Sequence, residues 1–190
     1  HLAGRIYFHL VENKDHESPF AFLATYSTRL NDSGESRHLP LKYALEEYKG
    51  DNAKLLQLLV TVDGAARNSE LVANLRDSGE LFYPLAWSAK EALVFLREIP
   101  TYEEAGILCR IPNWWKKKSA AITIQISIGE RPPSMVGMDA LLDFSPRLMI
   151  GDTELSVEEA RRLLSESEGL AFLKNKWVAV DPEKLRQTLE

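Results

Sequence analysis

The sequence predicts an α+β fold, on three observations. Two alternating apolar stretches near the N-terminus, Arg5 to Val11 and Phe20 to Leu30, read as a strand pair. The middle of the chain instead spaces its apolar residues at helical intervals, between serine starts and glycine stops. The last third mixes the two periods. The architecture expected is an N-terminal β-hairpin, a helical middle, and C-terminal mixed strands closing with helix, hairpin and helix. Its parts are an N-terminal lobe, residues 1–106, and a C-terminal lobe, residues 107–190. The pattern is compatible with one shared core or with two.

In the first strand Ile6, Phe8 and Leu10 face one side while Tyr7, His9 and Val11 face the other; Phe20 to Leu30 repeats the alternation. The polar loop "ENKDHESP" joins them, and "NDSGESRH" reads as turn chemistry that ends the sheet. A first helix places Leu41, Ala44, Leu45 and Tyr48 on one face and stops at Gly50. A second carries Leu55, Leu59, Val62 and Ala66, weakened by Gly64. Ser69 opens a third, ended by Gly79. Ser88 with Glu91 forms a capping box ahead of Ala89, Ala92, Leu93 and Leu96, and Pro100 breaks that helix.

Ile107 to Ile111 reads as a strand stopped by Pro112. Ile122, Ile124, Ile126 and Ile128 alternate with polar residues, the strongest strand signal in the chain, before the rigid loop "GERPPSMVG". Ser156 with Glu159 makes another capping box, with Val157, Ala160, Leu163 and Leu164 inward. "LAFLKNKWVAV" reads as a hairpin turning at Lys174-Asn175, since asparagine tolerates the left-handed backbone of a tight turn. Asp181 and Pro182 read as the cap and first position of a final helix.

The composition is that of an ordinary soluble globular chain, 45% hydrophobic and 27% charged. A single cysteine, Cys109, rules out an internal disulfide and suits a reducing cytoplasm. No apolar run approaches the roughly 20 residues that span a bilayer, so no membrane association is expected. The chain does not begin with methionine, which reads as a segment of a longer protein. The net charge of −5 argues against a domain that grips nucleic acid through charge alone. The charge is uneven, however. From Arg110 to Ser134 stand Arg110, Lys116, Lys117, Lys118 and Arg131 against Glu130 alone.

The chemistry of an independent enzyme is missing from the pattern. There is no "GxxxxGK[ST]" to cradle phosphates, no "GxGxxG" and no "GxSxG". His1, His9, His16 and His38 are scattered along the chain, far from Cys109, so no catalytic, cofactor-binding or metal-ligating residue is assigned. The pairs Glu46-Glu47, Glu103-Glu104 and Glu158-Glu159 read as solvated helix faces.

The stretch "IPNWWKKK" stands apart. Trp114 or Trp115 would stack on a base or a partner while Lys116, Lys117 and Lys118 meet phosphates, and Arg131 is a further candidate contact to nucleic acid or partner. The structural alternative has one tryptophan anchoring the core and the lysines solvating a turn. Adjacent residues on an extended segment point to opposite sides, so both indoles cannot share one buried face.

"EEAGILCRIPNWWKKK", "GMDALLDFSPRLMIGDTELSVEEARRLL" and "GLAFLKNKWVAVDPEKL" follow one another in an order that resembles the helicase-associated N-terminal accessory region of large bacterial Swi/Snf-type helicase-like ATPases. The matching segments are Ile111 to Trp115, Leu141 to Phe144, Gly151 to Glu159, and Lys174 to Asp181. The earlier stretches "RIYFHLVEN", "PFAFLATYSTRL" and "HLPLKYALEEYKG" also look like that region, so the resemblance covers nearly the whole chain. Asn175 departs from the glycine the family tends to carry, a substitution that suits a left-handed turn.

The resemblance implies a cytoplasmic, DNA-stimulated motor whose ATP and magnesium are held in two RecA-like ATPase lobes C-terminal to Glu190. This segment is then expected to be a non-catalytic accessory domain that contacts DNA or regulates its own C-terminal ATPase lobes. The alternative is a module that recruits the motor to a protein partner without touching DNA.

Overall fold

The computed structural model describes residues 4–15, 17–30, 36–116, 122–125, 147–150, 153–166, 169–181 and 183. It is an α+β protein whose chain divides into two compact units, His1–Pro112 and Asn113–Glu190.

The first unit is built on a five-stranded sheet. Strands β1 (Ile6–Glu12) and β2 (Phe20–Leu30) pair antiparallel, as the alternation predicts, with Phe8 opposite Ala24 and Leu10 opposite Phe22. Three further strands complete it: β3 (Ser36–Pro40) and β4 (Leu85–Trp87) antiparallel to β2, and β5 (Leu108–Arg110) parallel to β1. The segment read as the turn that ends the sheet therefore continues it from Ser36 onward. Strand propensity depends strongly on context, and the open edge of β2 supplies backbone partners that local composition cannot announce. Gly4 lies so close to β2 that a Cβ there would fall 1.6 Å from the Ser27 carbonyl oxygen.

Helices cover the sheet face that carries Ile6, Phe8, Leu10, Phe20, Phe22, Ala24 and Tyr26, all 1% exposed or less. They are α1 (Ala44–Glu47, entered through a 3-10 turn at Leu41–Tyr43), α2 (Asn52–Ala66), α3 (Glu70–Ser78), α4 (Ala89–Arg97) and α5 (Ile99–Glu104). Phe8, Phe22, Trp87, Phe95 and Tyr102 form a continuous aromatic core, with Phe22 stacked on Trp87 at 4.5 Å and Phe95 on Tyr102 at 5.2 Å.

Two helix readings need correction. The buried face of α2 is Leu58, Val62 and Ala65, whereas Leu59 is exposed, so the helix is turned from the expected stripe. Its run of leucines and valines offers apolar residues on several faces, and packing selects among them. Pro100 does follow the end of α4, but it also sits in the first turn of α5, where a missing N–H costs nothing.

The second unit has its own core. Strands β6 (Ile122–Gln125), β7 (Arg147–Ile150) and β8 (Thr153–Leu155) pair antiparallel in that order. Helix α7 (Val157–Glu166) follows, opened by the predicted box in which Ser156 and Glu159 exchange hydrogen bonds. Leu148, Ile150, Leu155, Ala160, Leu163 and Val180 are buried together. Strands β9 (Leu170–Leu173) and β10 (Lys176–Ala179) form the predicted hairpin.

The expected strand continuation at Ile126 and Ile128, the loop "GERPPSMVG" and the segment Leu141 to Phe144 lie outside the described residues, as does the inward placement of Leu164. The reading of a final helix falls mostly outside the described residues; within them the Glu183 N–H donates to the Asp181 carboxylate at 3.0 Å.

Candidate nucleic-acid or partner interface

In the second unit, two segments that the sequence presents about sixty residues apart meet. Residues Asn113–Lys116 form a one-turn helix, α6, and α6 lies against β10. Trp114 and Trp115 are half-buried on this turn and Lys116 is exposed at its end. The segment is helical rather than extended. Consecutive side chains therefore diverge by about 100° instead of about 180°, and neither indole is forced fully inward or fully outward. Lys117, Lys118 and Arg131 lie outside the described residues.

The hairpin beside α6 has two unlike faces. Ala171, Leu173 and Val178 pack against the buried cluster of the second unit. Strand alternation therefore turns Phe172 and Trp177 the other way. These two are opposite each other in the register, their rings 5.2 Å apart, and Phe172 is 51% exposed. Lys174 and Lys176 flank the tip and are exposed. The turn holds Lys174 at φ 45° and Asn175 at φ 64°, both left-handed, as a two-residue hairpin loop requires.

The neighbouring α6 and hairpin thus carry aromatic rings (Trp114, Trp115, Phe172, Trp177) and exposed cations (Lys116, Lys174, Lys176). Lys174 also acts on Glu159, whose carboxyl is held below its ordinary range first by the Ser156 backbone N–H. Sequence reasoning found α6 and the hairpin separately and missed that α6 lies against β10 and that Phe172 and Trp177 pair on the hairpin. The available signal was the strand period, which puts Phe172 and Trp177 on the face opposite Leu173 and Val178.

Elsewhere the chemistry is quiet. Burial pushes the Cys109 thiol up to about 12, with Glu103 adding to it, so it stays protonated at neutral pH. Among the described residues no group of three or more His, Cys, Asp or Glu could hold a metal ion. No helix among them is long and apolar enough to cross a membrane. The reading of the histidines as scattered is corrected for two of them: sheet register brings His9 and His38 within 6.2 Å, ring centroid to ring centroid.

A family model described as "SNF2 Helicase protein" matches residues 80–190. Over 104 residues, 53% of this chain, the sequence is 32% identical to a Bacillus subtilis (strain 168) protein named "Putative ATP-dependent helicase/translocase YwqA". That match spans 11% of the relative's length. No solved structure matches the chain.

Proposed function

We propose a function from one premise: the chain belongs to the SNF2 helicase protein family. In this reading it is a non-catalytic accessory domain of a DNA-dependent ATPase, and it contacts DNA to couple that contact to ATPase lobes elsewhere in the protein. The supporting observation is the surface where α6 meets β10. The two neighbouring elements carry half-buried indoles, the exposed Phe172 ring and three exposed lysines on a chain that is otherwise acidic. Lysines at the tip and edge supply phosphate contacts, while aromatic faces offer base stacking worth about 1–3 kcal/mol per base. ATP and magnesium belong to the ATPase lobes, since this sequence carries no phosphate-cradling glycine loop.

The test is a salt titration of DNA binding by the intact motor, with and without Lys116→Ala, Lys174→Ala and Lys176→Ala together. Each lost phosphate contact should reduce the slope of log affinity against log salt by about 0.7–0.9. An unchanged slope in a triple variant that melts like the parent protein removes DNA contact from this surface.

One observation favours recruitment of a protein partner instead. In the first unit an apolar groove lined by Leu41, Leu45, Leu55, Leu59, Leu81 and Phe82 opens beside exposed Leu56 and Val60, which are 58% and 63% exposed. Contiguous apolar surface of this kind marks interaction sites. A Leu56→Glu, Val60→Glu variant that leaves DNA-stimulated turnover intact but loses a copurifying protein would support that second reading.

A further inference from the structure

We propose that the sheet face opposite the helices of the first unit binds a phosphate oxyanion, held by Arg110, His9 and His38 above the ring of Tyr7. It belongs to the first unit and does not rest on the DNA-contact reading of the α6–hairpin surface.

Register assembles the site. Tyr7 and His9 alternate with the core residues Phe8 and Leu10, so they face away from the helices. Arg110 is the parallel partner of His9, and His38 is the partner of Ser27 across β2. The His38 ring meets Tyr7 edge-on at 4.4 Å and stands 6.2 Å from His9, and the Arg110 guanidinium lies 5.3 Å from the Tyr7 centroid. His9 Nε2 is hydrogen-bonded to Thr25 Oγ1 at 2.7 Å, which fixes the imidazole and leaves Nδ1 for another partner.

The charge of this face is one-sided. Arg110, His9 and His38 lie on it, whereas Arg37 alternates with His38 and falls on the other face. Glu12 shares the alternation of Phe8 and Leu10, which sends it to the opposite face. The charged neighbours that act on His9 are His38 and Arg110, and both add to burial in disfavouring its protonation. In addition, the buried Nδ1 of His38 has no hydrogen-bond partner, where buried polar atoms ordinarily do. The exposed Arg110 guanidinium beside an unmet hydrogen-bonding group on one face calls for an anion with several acceptor oxygens. Phosphate is tetrahedral and presents two oxygens at once to the planar guanidinium fork, and the Tyr7 ring beneath holds that fork in place.

The experiment follows the histidine Cε1–H resonances of the 190-residue chain during titration with inorganic phosphate and, separately, with a mixed-sequence single-stranded oligonucleotide. The resonances of His9 and His38 should move along one saturable isotherm, and saturation should raise the His9 pKa, because a ligand that prefers the charged ring is linked to its protonation. Arg110→Gln should weaken binding by about tenfold or more, and Arg110→Lys, which keeps charge but loses the fork, by less. Saturation by inorganic phosphate alone identifies a free phosphate group as ligand. Oligonucleotide acting on the same resonances, and displaced by phosphate, identifies a nucleic-acid backbone. Absence of any saturable shift, or a His9 pKa unchanged at saturation, overturns the proposal, as does an unaltered isotherm in a folded Arg110→Gln chain. Should Arg110→Gln fail to fold, the linked rise in the wild-type His9 pKa decides alone.

Discussion

Asn175 occupies a backbone conformation that most side chains resist, with φ at 64° beside Lys174 at 45°. The left-handed region crowds a Cβ against the neighbouring carbonyl, at about 1–2 kcal/mol per residue, and asparagine eases this by local hydrogen bonding. Asn175→Gly should therefore leave stability within a few tenths of a kcal/mol or raise it slightly. Asn175→Val should cost about 1–2 kcal/mol or more, because β-branched residues resist positive φ most strongly. Urea melts of the two variants decide the matter, and coincident midpoints would remove the turn assignment. Much is at stake in one residue, since a slip of register would exchange Phe172 and Trp177 with Leu173 and Val178 between solvent and core.

Among the elements, serine caps show how one local signal carries unequal weight. Ser88 caps α4 through a solvent-exposed box with Glu91, the two bonds being 3.1 and 3.2 Å long. Ser69 caps α3 at 1% exposure, accepting from Val72 N–H at 3.1 Å while donating to the Glu98 carboxylate at 2.6 Å. Tyr102, fully buried, donates to the same carboxylate oxygen at 3.0 Å, so Ser69 ties the start of α3 to the α4–α5 junction. Ser88→Ala should cost about 0.5–2 kcal/mol. Ser69→Ala should cost roughly 1–3 kcal/mol beyond that range, because it also leaves a half-buried carboxylate short of a donor. Equal losses in thermal melts would show that the Glu98 contact adds nothing. Both caps were legible in the sequence, as were the first two strands and the hairpin, because alternation, Ser-x-x-Glu and Lys-Asn are signals that span a turn or less. The strand at Ser36–Pro40 was not legible, since its polar residues become a strand only against β2. The helical turn at Trp114 was hidden for a like reason, and so was the meeting of His9 with His38, which depends on two registers at once.

Taken whole, the molecule carries net negative charge, yet its first-unit sheet sets His9 and His38 beside Arg110 on the face away from the helices, and acidity should bring out that juxtaposition. Burial lowers the pKa of His9 from its ordinary 6.5, and His38 and Arg110 lower it further. The unfolded chain therefore takes up a proton at higher pH than the folded one does. Stability from this group is fully present above about pH 6.5 and is lost as pH falls toward the depressed folded value. Glu159, its pKa lowered by the Ser156 capping bonds, contributes in the same sense over a more acidic window, below its ordinary 4.5. The His9 window opens at higher pH than the Glu159 window, so on acidification melting temperature should fall first through an upper, histidine stage and then through a lower, carboxylate stage. His9→Gln removes the titrating group while keeping a polar side chain beside Thr25, and it should flatten the upper stage alone. Ser156→Ala should weaken the lower stage alone. Phosphate provides the final discriminator: if Arg110, His9 and His38 receive an oxyanion, its addition should restore melting temperature near pH 6 in the wild type and not in His9→Gln. A wild-type curve flat between pH 7 and 5.5 would show that the sheet face bears no unrelieved charge.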